Sequence, residues 1–159
     1  MESATITAEK IVSGGNCISK IEGKTVFVPY AIPGERLRIH IEKEMRDYSL
    51  ACIDEILEGS EHRVSPVCPL YQKCGGCNMQ HIDSAFQKEL RACTLKDAFL
   101  REGIELESVK VVGADDFGYR ARFQLHNGGL MAKQSNDIVP LDFCPCAVPE
   151  INAYLQQTS

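Results

Sequence analysis

Three cysteines fall within ten residues, at Cys68, Cys74 and Cys77, with a Gly75-Gly76 corner between the last two. Gln80-His81 follows closely, and Cys144-Pro145-Cys146 comes much later. This set restricts the fold more than any other feature. Glycine lets a backbone bend tightly and bring its N–H groups to sulfur, as the wrap around an iron–sulfur cluster requires. A fourth thiol has to come from Cys144 or Cys146, and only a chain that folds back on itself can deliver it, so the bound group would staple the second half together. Spacing alone leaves a second metal open. Cys74 and Cys77 with Cys144 and Cys146 would make a tetrahedral four-thiolate zinc site without Cys68.

Composition narrows the setting. The 159 residues are 44% hydrophobic, enough for one ordinary domain or two small ones. No apolar run approaches the roughly 20 residues that span a bilayer, and Met1-Glu2-Ser3-Ala4-Thr5 lacks the charged and apolar regions of a signal peptide. The expectation is a cytoplasmic monomer with no membrane partner. Eight cysteines in a reducing compartment point to metal ligands or buried thiols rather than disulfides. A net charge of -5 argues against a broad basic surface that binds nucleic acid without regard to sequence, so any RNA contact must be local.

The first third reads as a small antiparallel barrel. Ile6 to Val12, Cys17 to Ile21, Thr25 to Val28, Leu37 to Ile41 and Ser49 to Ile56 are short β-branched and apolar segments. Gly14-Gly15, Glu22-Gly23-Lys24 and Ile32-Pro33-Gly34-Glu35 separate them as turns. Five such strands suit an OB-like barrel at residues 1–60, a shape often used to hold single-stranded nucleic acid. The polar stretch Glu58 to Pro66 marks the boundary, and residues 61–159 form a small α+β domain. A helix capped by Asp83 or Ser84 and stopped by Gly103 carries Ile82, Phe86, Leu90, Cys93 and Leu100 near one stripe. Strands are expected at Val109 to Val112, Tyr119 to Leu125 and Ile138 to Leu141, a hairpin turn at Asn127-Gly128-Gly129, and a short helix at Pro149 to Gln157.

Other residues carry two readings each. Cys17, Cys52 and Cys93 lie in apolar strands or the helix stripe and read as buried thiols. His81 is a ligand, a nucleic-acid contact or a packing residue. Arg120 and Arg122, two positions apart, would share one strand face, as a salt-bridged pair or as RNA contacts. With Lys24 they are the candidate phosphate contacts, and Tyr119 is a candidate platform for a stacked base.

Together these residues carry a resemblance. Cys68-Pro69-x4-Cys74-Gly75-Gly76-Cys77-x2-Gln80-His81, preceded by Ser65-Pro66, resembles the cluster motif of the uracil-5 RNA methyltransferases with an amino-terminal TRAM domain. Val28-Pro29-Tyr30-Ala31-Ile32-Pro33-Gly34-Glu35 resembles the TRAM signature, and Gly118-Tyr119-Arg120-x-Arg122 the family's Tyr-Arg-Asn-Arg/Lys stretch. The resemblance implies a 4Fe-4S cluster on Cys68, Cys74, Cys77 and Cys144, with Cys146 a bystander. It also implies that barrel and cluster domain grip RNA while a third, Rossmann-like domain binds S-adenosylmethionine and performs the chemistry. Two departures stand out: Cys17 replaces a glycine of the family's first turn, and Ala121 replaces the asparagine between the two arginines.

No Gly-rich nucleotide loop and no Asp-Pro-Pro-Arg cysteine context occurs in these residues. The fifteen residues after Cys144 are fewer than the roughly 30 of one strand–helix–strand unit. The sequence therefore predicts a truncated relative whose SAM-binding domain is absent. Its expected role is RNA recognition and cluster binding in support of uracil-5 methylation, on ribosomal RNA, with no catalysis by this chain alone and S-adenosylmethionine bound only where the missing domain is present. The alternatives are a stand-alone iron–sulfur RNA-binding module and a zinc-stabilised interaction domain.

Overall fold

The computed structural model describes residues 3–113 and 115–158; Met1 and Glu2, from the amino-terminal reading, lie outside it. It contains two compact units, Met1–Val64 with His81–Val111, and Ser65–Gln80 with Val112–Ser159. The division differs from a simple cut near residue 60, because the helix after the cysteine motif is grouped with the barrel strands.

The first unit is one six-stranded sheet. Its strands are β1 (Ser3–Thr7), β2 (Lys10–Ile11), β3 (Asn16–Ile21), β4 (Lys24–Pro29), β5 (Arg36–Glu44) and β6 (Tyr48–Glu58). The order is β1-β5-β6-β4-β3-β2, antiparallel except for β4 on β6. The single strand expected over Ile6 to Val12 is broken at Ala8-Glu9, since its first half pairs with β5 and its second with β3. That break curls the sheet. Two halves of one short segment occupy its opposite edges, and this is possible only in a half-barrel. Register shifts along β5 and β6 add bend in the same strands. Ile6, Cys17, Val26, Val28, Leu37, Ile39 and Ala51 point inward and are buried, as alternation requires. Glu22 (φ 50°) and Gly23 (φ 83°) supply the two positive dihedrals of a tight β3–β4 hairpin.

A buried ion pair holds the β4–β5 turn. Glu35, 1% exposed, accepts from the Ile32 and Ser60 backbone N–H groups at 2.9 and 3.2 Å. Arg63 grips both of its oxygens, Nε and Nη2 each at 2.6 Å, while Nη2 also donates to the Tyr30 carbonyl. Burial alone would raise this carboxyl, but Arg63 and the two backbone donors outweigh it and hold it below the usual carboxylate range.

Helix α1 (Ser84–Arg101) starts at Asp83, whose side chain accepts from Phe86 N at 2.9 Å. It ends as the sequence signals: Gly103 is at φ 77°, with Gly103 N on Leu100 O and Ile104 N on Phe99 O, a Schellman closure. The covered stripe differs from the one expected. Phe86, Leu90, Thr94 and Asp97 lie on the more buried side, with Asp97 bound to Lys10, whereas Cys93 and Leu100 are exposed. The buried-thiol reading therefore fails for Cys93 and holds for Cys17, which is 0% exposed and donates to Ala31 O.

The second unit has little regular structure: β7 (Gly129–Met131), β8 (Ile138–Pro140) and α2 (Pro149–Thr158). Asn127 (φ 47°) and Gly128 (φ 78°) make the expected tight turn between His126 and Gly129. Gly129 has no room for a side chain, since a Cβ there would meet Val139 O at 2.2 Å. The strands expected at 109–112 and 119–125 do not form. Gly118 and Arg120 spend their N–H groups on Pro145 O and Cys146 O, and Val148 N returns to Arg120 O. That is a single bridge to Ala147, too short a ladder to be a strand. The core is small, comprising Leu130, Leu141, Cys144, Cys146, Ala147 and Leu155.

Replacing Arg63 with alanine would leave the Glu35 carboxylate buried and unpaired, which costs about 3–5 kcal/mol. Because the folded pKa of Glu35 is depressed, the stabilisation it provides is present above the unfolded value near 4.3 and disappears as pH falls through the folded one. Urea titrations of both proteins should give a stability gap that is widest near neutrality and closes below about pH 4. A gap independent of pH would contradict this account.

Candidate metal centre

The motif 68–77 is a series of tight turns. Tyr71 N donates to Cys68 O, and both Lys73 N and Cys74 N donate to Leu70 O, so Cys68 and Cys74 are drawn to one side. Gln72 takes the positive dihedral (φ 74°), while Gly75 and Gly76 do not. The two glycines are needed for space instead. A Cβ on Gly75 would lie 3.0 Å from Met131 O, and one on Gly76 3.3 Å from the Arg120 guanidinium. Gly75 N donates to Met131 O at 2.9 Å, and Gly76 N approaches Cys74 Sγ at 3.4 Å, so one N–H does reach sulfur as the sequence suggested.

Cys144 arrives on the turn before α2 and is clamped by a residue that sequence reasoning missed. Asn152 accepts from Cys144 N at 2.8 Å and donates to Cys144 O at 3.0 Å. A lone helical asparagine gives no signal of this. Gln80 was visible only as part of the motif; it accepts from Cys68 N at 3.1 Å and directs its amide to Cys146 Sγ.

These elements bring Cys68, Cys74, Cys77 and Cys144 to the wall of one pocket, with Leu70, Tyr71, Leu130 and Leu141 as its apolar sides and Arg120 at its edge. Cys146 does not line it. The thiol is nevertheless no remote bystander, since its sulfur lies 3.7 Å from Cys77 Sγ. Hydrogen bonds from Cys146 pull the Cys77 and Cys144 thiols down to about 6 and hold the Cys146 thiol itself up. Burial raises Cys68 and Cys74. Among the described residues no three of Cys, His, Asp and Glu converge tightly enough to hold one metal ion. All four side-chain donors expected from the sequence are soft sulfur, the donor type that iron–sulfur clusters and zinc take.

The remaining candidates are dispersed. His81 is 1% exposed, belongs to the first unit and faces Ala31 O at 3.4 Å, edge-on to Tyr30, which is the packing reading. Arg120 is committed to the pocket, with Nη1 on Gly76 O and the guanidinium 4.7 Å from the Phe123 ring centre. Arg122 is exposed, and with no strand the two arginines share no strand face. Tyr119 is 58% exposed and hydrogen-bonds to Cys146. Lys24 pairs with Glu44 at 2.8 Å. No helix among the described residues is long and apolar enough to cross a membrane.

The chain has counterparts among known proteins. Residues 2–52 match the TRAM domain family model, so the first unit carries a TRAM domain. The chain is 38% identical to an uncharacterized RNA methyltransferase of Treponema denticola, over 98% of this chain and 44% of the relative. It is 33% identical to the 23S rRNA (uracil(1939)-C(5))-methyltransferase RlmD of Photorhabdus laumondii, over 98% of this chain and 38% of the relative. The chain thus spans less than half the length of these curated relatives. The fold matches the crystal structure of Pyrococcus abyssi tRNA (uracil-54, C5)-methyltransferase in complex with S-adenosyl-L-homocysteine, at TM-score 0.62 and 22% identity, over 96% of this chain and 35% of that one.

The Asn152 clamp is testable without any metal. Asn152→Ala removes both partners of the Cys144 backbone, at about 1–3 kcal/mol, and should free Cys144. Alkylation with iodoacetamide followed by peptide mapping should show faster labelling of Cys144 in the variant, with Cys17 as slow as before. Equal Cys144 rates would show that the clamp does not position it.

Proposed function

We propose that this chain is the RNA-recognition and 4Fe-4S portion of an S-adenosylmethionine-dependent uracil-5 RNA methyltransferase that acts on ribosomal RNA. The observation that carries the reading is the gathering of four soft thiols, three from residues 68–77 and one from Cys144, around a single apolar-walled pocket. Similarity to RNA methyltransferases across 98% of the chain supports it. The donor set fits the cluster. Four thiols on one pocket are the soft donors such a cluster would take, and Gly76 N supplies a hydrogen bond at Cys74.

When bound, such a group supplies a covalent cross-link between the 68–77 turns and the chain before α2, and any electron-transfer capacity is its own. The protein's part is positional. Asn152 sets the Cys144 backbone, Gln80 sets that of Cys68, and Leu70, Leu130 and Leu141 give the thiol pocket apolar sides. Among the basic candidates, Arg122 is the side chain most available to a phosphate, while Lys24 and Arg120 would first have to leave Glu44 and Gly76. Tyr119 presents an exposed ring for stacking.

Protein purified under anaerobic conditions should contain iron and acid-labile sulfide in equal amounts near four per chain, with a broad brown absorption. Serine at Cys68, Cys74, Cys77 or Cys144 should abolish the colour, and Cys146→Ser should retain it. Stoichiometric zinc without sulfide would replace this reading with the zinc-stabilised interaction domain.

A further inference from the structure

Cys146 is the thiol of the second unit that the four-thiol set leaves unused. It does not line the pocket, yet it is 3% exposed and its sulfur lies 3.7 Å from Cys77 Sγ, across 69 positions of chain. Its place is fixed from several sides. The Cys146 carbonyl accepts from Arg120 N at 2.7 Å and the preceding Pro145 carbonyl from Gly118 N at 2.9 Å, while the Gln80 amide approaches the Cys146 sulfur at 3.8 Å. Gln80 also accepts from Cys68 N, so one side chain ties the motif to the thiol facing it.

Two thiols held in this way have a chemistry that a packed apolar residue lacks. A disulfide joins its sulfurs at about 2 Å, so this pair has to close by roughly 1.7 Å. Cys77 is half-buried and Cys146 buried, so a small oxidant meets Cys77 first and Cys146 is the thiol that resolves it. Cys144 is the competing partner, since Cys146 hydrogen-bonds to it as well. A bridge between those two would have to close over Pro145 alone, whose ring fixes φ, and Asn152 already holds the Cys144 backbone at both its N–H and its carbonyl.

We propose that in the cluster-free chain Cys77 and Cys146 form an intramolecular disulfide, with a peroxide as oxidant, and that this bridge and a bound cluster exclude each other because both take the Cys77 sulfur. The exclusion rests on the cluster reading above; the bridge does not. The Cys77 thiolate attacks one oxygen of hydrogen peroxide, the O–O bond breaks, and the departing hydroxide becomes water with the thiol's proton. The Cys146 sulfur then attacks the sulfenic sulfur of Cys77, and its proton leaves with the sulfenic oxygen as a second water. Two thiols thereby lose two electrons and one peroxide is reduced to two waters. The bridge ties the 68–77 turns to the chain before α2, the same two stretches that the cluster would join, and it keeps Cys77 from irreversible oxidation to the sulfinic acid.

The test titrates the whole 159-residue chain, as purified under nitrogen, with hydrogen peroxide, alkylating unreacted thiols at each step and mapping peptides without reductant. The linked peptides should be lighter than the free pair by two hydrogens, with fragment ions placing alkyl groups on Cys74 and Cys144 and hence the bridge on Cys77 and Cys146. The bridge should rise as the brown absorption falls, and iron with sulfide should rebuild that absorption only after dithiothreitol has cut the bridge. In Cys146→Ser, dimedone should trap the Cys77 sulfenic acid about tenfold more than in the wild type. The wild-type peptide map decides by itself should this variant not fold. No bridge, or one from Cys77 to Cys74 or Cys144, or from Cys144 to Cys146, would overturn the proposal, as would equal dimedone capture. A bridge of Cys77 to Cys146 in protein that never held iron would overturn the cluster reading and the exclusion, and leave the bridge standing.

Discussion

A carboxylate with no exposed side-chain area is the most demanding group in the first unit, and its environment is arranged to satisfy it. Glu35 receives four donors: two from Arg63, one from Ile32 N and one from Ser60 N. These partners lie on the turn after β4, at the exit of β6 and just before the cysteine motif. One buried charge therefore fastens three otherwise separate stretches of chain. Without it the half-barrel would keep its apolar interior but lose the tie that fixes where the chain leaves β6. Removing either partner alone is the costly case, because the other is left desolvated.

The second unit rests on a different constraint. Among the described residues its core cluster has six buried residues, two of them cysteines, and its regular structure amounts to two three-residue strands and one helix. Units this lean commonly depend on a cross-link or a metal for independent stability. Asn152 on the Cys144 backbone and Gln80 on Cys68 N are side-chain bonds that hold thiol-bearing residues, while Gly75 N on Met131 O is part of a single antiparallel bridge between Cys74 and Ala132. Cys146, a thiol of the zinc reading alone, lies 3.7 Å from Cys77, a thiol that both metal readings share.

The net charge is -5, and much of the positive charge in the sheet is paired with Glu58, Glu55, Glu44 and Asp97. What remains is a few exposed cations near aromatic rings. Such sites offer short-range contacts rather than long-range attraction.

Much of the local structure was legible from the residues alone. Glu22-Gly23 and Asn127-Gly128 announce two-residue turns, Asp83 and Gly103 bracket a helix, and alternation assigns Val26, Val28, Leu37 and Ile39 to an interior. The cysteine motif announced a soft ligand set, and the thiols named from it line one pocket. Partner choice was not legible. Nothing local says that residues 3–11 divide between two sheet edges, that Tyr119 to Leu125 finds only one bridge among the described residues, that helix α1 partly covers Thr94 and Asp97 and leaves Cys93 and Leu100 exposed, or that Asn152 holds Cys144. Turns, caps and alternation depend on neighbours within a few positions, so a single sequence records them. A strand edge, a buried ion pair and a side-chain clamp depend on which distant backbone groups are left unsatisfied, and the folded chain alone decides that.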